Sequence, residues 1–197
     1  MLKNIDEVEL TIFDTETTGL YPDAGDRIVE LAGLRVKGKE RISTFDMLMN
    51  PMREISSGAF AVNKITPDLL KDALGAQVVI PNFLNFISGS CLCSYNAEFD
   101  LNFVNNELKL LSCPPINNNI VVFDVLTMAK KLMPNLARYA LWFVAKELGV
   151  QTTQKHRAFS DVEMTWEVFT KLKTICEQRG ITNFTDFSSL FAVKPKI

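Results

Sequence analysis

The chain has 197 residues, 47% of them hydrophobic and 22% charged, with a formal net charge of −2. That length suits one complete α/β domain rather than two, and the composition excludes a disordered or fibrous chain. The near-neutral balance also argues against long non-specific tracking along duplex DNA, which needs many neutralised phosphates.

The halves differ: residues 1–100 carry 9 basic and 15 acidic groups, a net of −6, and residues 101–197 carry 12 and 8, a net of +4. An acidic half that holds cations beside a basic half that meets phosphate is one reading; ordinary surface variation is another. Apolar runs such as 141–145 and 78–81 are far short of the roughly 20 residues that span a bilayer, so no membrane segment is expected. Residues 1–6 lack the basic start and apolar stretch of a signal peptide, and the cytoplasm is the expected compartment. The four cysteines meet no zinc spacing and are expected to be reduced thiols, with Cys91 and Cys93 flanking Leu92 in a buried strand.

In chain order, residues 8–13 form a short β-rich run, and the turn-forming stretch 17–26 follows it. Residues 27–36 and 41–49 partly alternate apolar and polar around Lys37-Gly38-Lys39, which predicts a hairpin with one buried face. Pro51 closes the third strand, and 56–63, 67–72 and 77–87 read as short helices. Residues 90–94 make an apolar strand, after which Asn96 caps a helix with Phe99, Phe103, Val104, Leu108 and Leu111 at helical spacing. A loop at Pro114-Pro115 and 117–119 precedes a strand at 120–123. Helices are predicted over 124–132 and 138–148, the second ended by Gly149. The last long helix is predicted from Ser160, which has capping-box spacing to Glu163, with Val162, Trp166, Phe169, Leu172 and Cys176 on its apolar side.

Three strands in hairpin order, then strand–helix alternation, predict an α/β fold with a mixed five-stranded sheet flanked by helices. One domain is expected over 1–178. Residues 179–197 form a short tail whose Phe184, Phe187, Leu190 and Phe191 are expected to pack on it rather than bind a partner.

Asp14 and Glu16 stand two apart at the end of the first strand, so their side chains project from one face. The same spacing recurs at Glu7/Glu9, Glu98/Asp100 and Asp161/Glu163, and most such pairs are solvated surface acids. Position sets this pair apart, between apolar Ile12-Phe13 and the tight turn Thr17-Thr18-Gly19. Acids at the mouth of a buried strand are costly without a compensating positive charge, and carboxylates suit magnesium or manganese. Asp100 and Asp161 each fall at the positive end of a predicted helix, where a capping or dipole role alone would account for either. His156, the sole histidine, lies five residues before Asp161 in the polar stretch 151–157. A surface histidine is the plain reading, yet at that spacing it can face the same site as Asp161. Neutral imidazole, with a pKa of about 6.5, can take a proton from water.

Together these residues resemble the DEDDh family of 3′ to 5′ exonucleases, the group containing the proofreading epsilon subunit of bacterial DNA polymerase III. Phe13-Asp14-Thr15-Glu16-Thr17-Thr18-Gly19-Leu20 resembles the family's first motif. Asn96-Ala97-Glu98-Phe99-Asp100 resembles the second, and His156-Arg157-Ala158-Phe159-Ser160-Asp161 the third. Order and spacing fit from about residue 8 to 173. The resemblance implies a ribonuclease H-like fold, in which Asp14, Glu16, Asp100 and Asp161 hold two magnesium or manganese ions and His156 is the general base. It also implies that Thr17, Gly19, Val62, Asn63, Asn96 and Phe99 cradle the terminal nucleotide; for Phe99, core packing is a comparable reading. Tyr95 and Asn63 depart from the family where relatives often have histidine, which bears on substrate grip and preference.

The expected reaction is hydrolysis at single-stranded or frayed 3′ ends of DNA, in proofreading or repair beside a DNA polymerase. Two alternatives stay open: an exoribonuclease acting on RNA ends or short oligonucleotides, and a non-catalytic module that docks on nucleic acid or polymerase.

Overall fold

A computed structural model of the chain describes residues 3–117, 119–151 and 157–194. The first three strands, β1 (Glu9–Thr17), β2 (Ile28–Lys37) and β3 (Glu40–Asn50), run antiparallel in sequence order. Gly38, at φ +58°, makes the tight turn between β2 and β3. Two short helices, α1 (Ser57–Asn63) and α2 (Pro67–Leu70), then lead to β4 (Leu74–Gly75) and α3 (Ala76–Ile87). Next come β5 (Cys91–Ser94), α4 (Ala97–Leu110), β6 (Val122–Asp124), α5 (Val125–Leu132), α6 (Leu141–Glu147) and α7 (Ala158–Gln178). The described chain closes with α8 (Phe184–Phe191) and β7 (Ala192–Val193).

The strands form one mixed sheet in the order β4-β3-β2-β1-β5-β6-β7, with β5 and β6 parallel to β1. Among the described residues seven strands replace the expected five. The two extra are two-residue edge strands, β4 on β3 and β7 on β6, too short to show a period of alternation.

Side-chain parity along the central strands divides the core. Leu10 and Ile12 of β1, with Ala32, Leu34 and Val36 of β2, meet α5, α6, α7 and α8 on one face. Phe13 of β1 and Leu31 of β2 meet α3 and α4 on the other. β2 is therefore buried on both faces over most of its length, not on one as the hairpin pattern suggested; its hairpin partner β3 keeps a largely exposed face. In α8, Phe187 and Phe191 are buried against Phe123 and Phe169, and Lys131 donates to the Leu190 carbonyl.

Two helix starts differ from the sequence pattern. α6 begins at Leu141, not residue 138, because the Tyr139 carbonyl accepts the Tyr95 hydroxyl at 2.7 Å and Ala140 is extended. Arg138 instead lies over the rings of Trp142 and Phe143. α7 begins at Ala158, so Ser160 lies inside its first turn and is not its cap. Glu163 pairs with Arg41 at 2.8 Å, and Arg41 in turn covers Trp166, which sits at the edge of the apolar side. None of the four cysteines is in a disulfide. Among the described residues no helix is long and apolar enough to cross a membrane.

Candidate active site

The parity that buries Leu10 and Ile12 beneath α7 carries on to Asp14 and Glu16, so the apolar face of β1 turns acidic at its C-terminal end. The antiparallel register sets Glu30 of β2 opposite Glu16, and Asp46 of β3 opposite Ala32, the partner of Asp14. β5 pairs with β1 only as far as Ile12↔Cys93. Beyond that point the β1 edge is open, at the carboxyl ends of parallel strands where α/β folds place their clefts.

Two helices fill this opening from opposite layers. From the α7 layer, Asp161 in the first helical turn comes close to β1. Ligand oxygens of Asp14, Glu16 and Asp161 all lie within 4.8 Å of one another. From the α4 layer, Asp100 reaches the β1 edge, where its Oδ1 accepts the Thr15 amide at 3.0 Å and the Thr15 hydroxyl at 2.7 Å. Its Oδ2 accepts the Ser94 hydroxyl at 2.6 Å. Asp124, at the end of β6, fixes the start of α4 by accepting the Ala97 amide at 2.7 Å. The same carboxylate caps α5 through the Thr127 amide. Asn96 is thereby relieved of the capping role its position suggested. It sits at the helix start with a left-handed φ of 83°, a conformation asparagine tolerates, and makes no side-chain cap.

The turn after β1 is held by main-chain and carboxylate contacts. Thr17 is buried and its hydroxyl donates to the Gly19 carbonyl at 2.6 Å. Gly19 has no room for a side chain, since a Cβ there would fall 2.2 Å from an oxygen of Asp26. Asp26 accepts the Thr18 hydroxyl and the Tyr21 amide. Asn63 is buried, with its amide donating to the Thr17 carbonyl at 3.2 Å and accepting the Ile65 amide at 3.1 Å. Neighbouring Val62 is exposed. Phe99 is half-buried, tilted against Phe103 at 5.0 Å between ring centres. Tyr95 is half-buried, and burial together with Asp124 raises its hydroxyl pKa. His156 lies outside the described residues.

Among the described residues, negative charge outweighs positive at this site. Burial first, and then the nearby Asp100, Asp161, Glu16 and Glu30, hold the Asp14 carboxyl well above the usual carboxylate range. Glu16 is pushed up to about 8 by burial and by Asp161, Glu30 and Asp100, with Arg157 pulling the other way. Asp100 rises to about 6 through burial, held back by its hydrogen bonds from Ser94 and Thr15. Hard oxygens under this mutual repulsion are the donor set that magnesium or manganese satisfies.

A stability signature follows. With folded-state pKa values above the unfolded ones, the metal-free fold binds more protons than the unfolded chain between about 4.5 and about 8. Its stability is full below that window and falls as pH rises through it. In thermal melts, chelated protein is expected to lose melting temperature from about pH 5.5 to about pH 8, and added manganese to restore more of it at the upper end. A melting temperature in chelator that climbs over this range contradicts the electrostatic picture.

Several supporting residues escape sequence reasoning: Glu30, Thr15, Ser94, Arg157, Asp26 and Asp124. Glu30 had a signal, a charge set between apolar Val29 and Leu31 in a strand otherwise apolar from Ile28 to Ala32. Asp124 has one local contact, its cap of α5, but its bond to the Ala97 amide and the contacts of Thr15 and Arg157 join distant segments and leave no local pattern.

Comparison with known proteins accords with this geometry. The sequence pattern of the family described as Exonuclease matches residues 11–169. DNA polymerase III PolC-type from Staphylococcus haemolyticus is 32% identical over 186 residues, covering 94% of this chain and 13% of that polymerase, so the chain spans about an eighth of that relative. Among solved structures, Exonuclease X in complex with 5′ overhanging duplex DNA is 27% identical at a TM-score of 0.70, covering 92% of this chain and 98% of that one. Escherichia coli Exonuclease I in complex with a dA16 oligonucleotide shares the fold at a TM-score of 0.78 and 20% identity, covering 87% and 42%. With the family pattern spanning the acidic end of β1, strands β2 to β6 and the first turns of α7, this chain belongs to the exonuclease family.

Proposed function

We infer that the chain hydrolyses phosphodiester bonds one nucleotide at a time from the 3′ end of DNA, with residues 1–178 as the catalytic unit. The observation that carries this reading is the gathering of Asp14, Glu16 and Asp161 within 4.8 Å at the open edge of β1, with Asp100 alongside. Charges so placed are costly without a cation, and a fold with no use for one has no physical reason to assemble them.

Asp14, Glu16 and Asp161 would hold one divalent ion, and Asp14 with Asp100 a second. Such ions, when bound, polarise phosphoryl oxygens and make water more acidic. The Thr17–Gly19 turn, kept in shape by Asn63 and Asp26, offers main-chain groups to the terminal nucleotide. Val62 on α1 and Asn96 at the start of α4 would contact the same nucleotide, and Phe99 would offer an apolar surface to the last base. Asn63 acts here through the Thr17 carbonyl, its amide being engaged at both ends.

His156 is the proposed general base, taking a proton from the attacking water. Its support is sequence position, immediately before Arg157 and five residues ahead of Asp161. His156→Ala is expected to slow turnover by about a hundredfold, as general-base removal does, while manganese affinity measured by calorimetry stays near wild type. An equal loss of manganese affinity would make the imidazole a ligand and refute the role.

Matched DNA and RNA oligonucleotides, 5′-labelled and bearing paired or mismatched 3′ ends, test the reading as a whole. Magnesium-dependent shortening from the 3′ end, faster on DNA and on mismatched ends, supports DNA proofreading. Faster loss of RNA favours an exoribonuclease. Absence of mononucleotide release from any single strand leaves a binding module. The likeness to part of a polymerase favours action beside one.

A further inference from the structure

α7 is the longest helix described, and its first turn carries Asp161 towards two other carboxylates, yet its own N-cap residue, Arg157, supplies no side-chain cap. Mutual repulsion of the three acids works to lift that turn off the sheet. The opposing contact comes from β2. Glu30 is 1% exposed and accepts the Ala158 amide at 3.0 Å, standing in for the missing cap. It also receives Arg157, whose Nη2 donates to Oε1 at 2.6 Å and whose Nε lies 3.1 Å from both oxygens.

A charge-assisted fork of this kind fixes orientation as well as distance. The register completes the connection, since Glu30 is the direct cross-strand partner of Glu16. One buried side chain thus ties the start of α7 to the strand position facing a metal-site acid. Arg157 also directly follows His156 in the chain.

We propose that Glu30, acting through Arg157 and the Ala158 amide, is a positioning residue that clamps the first turn of α7 on the sheet. The clamp keeps Asp161 beside Asp14 and Glu16 before any cation arrives. Glu30 touches no reacting atom; it sets the relative placement of two acids on different elements. Its effect on turnover rests on the exonuclease reading, and its effect on the order of the helix end does not.

The test uses the full chain with Glu30→Gln and Arg157→Lys, the first removing the charge and the second the fork. In metal-free protein, amide hydrogen exchange over residues 158–161 is expected to quicken by about tenfold or more in each variant, as loss of a charge-assisted hydrogen bond implies. Exchange in the last turns of α7 should stay at the wild-type rate.

With manganese and a single-stranded DNA oligonucleotide, kcat is expected to fall about tenfold or more, because a small misplacement of catalytic groups is costly, while KM stays near wild type. Unchanged exchange at 158–161 overturns the clamp, as does a rise in KM with kcat intact. If Glu30→Gln quickens exchange throughout the chain, Arg157→Lys decides, since it leaves every acid in place. Exchange that is global in both variants makes Glu30 a support of the whole fold, which also overturns the clamp. A wild type that cleaves nothing sinks the exonuclease reading, while the exchange arm still judges the clamp.

Discussion

Asp14→Asn is expected to cut phosphodiester hydrolysis by about a thousandfold, the loss of several kcal/mol of cation-borne charge stabilisation, and at the same time to raise the melting temperature of the metal-free protein. The two signs share one cause. Asp14 is surrounded by Asp100, Asp161, Glu16 and Glu30, each of which disfavours its charge, so removing that charge relieves repulsion in the folded state. A gain of roughly 2–4 °C corresponds to about 1 kcal/mol in a chain of this size, and it should grow with pH as Glu16 ionises towards about 8. Steady-state cleavage and melts in chelator, read on the same preparation, check both halves. A variant that keeps more than about a hundredth of wild-type turnover, a modest loss beside the several kcal/mol an ion supplies, counts against Asp14 as a ligand. A variant less stable than wild type in chelator counts against the repulsion.

The largest expected loss of stability lies away from the acids, at Arg27→Ala. Glu107, in the third turn of α4, is fully buried and accepts Arg27 Nε at 2.7 Å, Arg27 Nη2 at 2.6 Å and the Ile28 amide at 3.3 Å. The pair joins the start of β2 to α4, the helix that delivers Asp100 to the β1 edge. Truncating the arginine strands a buried carboxylate, which costs about 3–5 kcal/mol, or roughly 10 °C in melting temperature. Removing both charges is a different matter, because an apolar pair has no desolvation penalty to offset. Arg27→Met with Glu107→Leu is therefore expected to melt well above Arg27→Ala. A double variant that melts below Arg27→Ala would show that the pair itself, not the stranded charge, governs stability at this joint.

Sequence made much of the sheet legible because its signals are local. The apolar run of β1, the glycine turn after β2 and the helical spacing along α4 and α7 are each written in a short continuous stretch of sequence. The two edge strands were not, because β4 and β7 have two residues apiece and owe their conformation to the neighbours they pair with. Position singled out Asp14 and Glu16, the motif resemblance added Asp100 and Asp161, and the fold brings all four to one end of β1. The site's supports were hidden for the opposite reason. Glu30 caps a helix 128 residues away, and Asp124 caps the start of α4, 27 residues before it, as well as its own α5. Capping rules look for a partner within one turn, so Ser160 looked like the cap of α7 while the residue that meets its first amide lay on another strand.

Crystals soaked in manganese and measured at an anomalous wavelength would test the gathering of acids most directly. An anomalous peak in contact with oxygens of Asp14, Glu16 and Asp161 is the expected result, with Asp100 bordering the same pocket. Manganese bound elsewhere, with those three side chains turned away from one another at full occupancy of the soak, would contradict it.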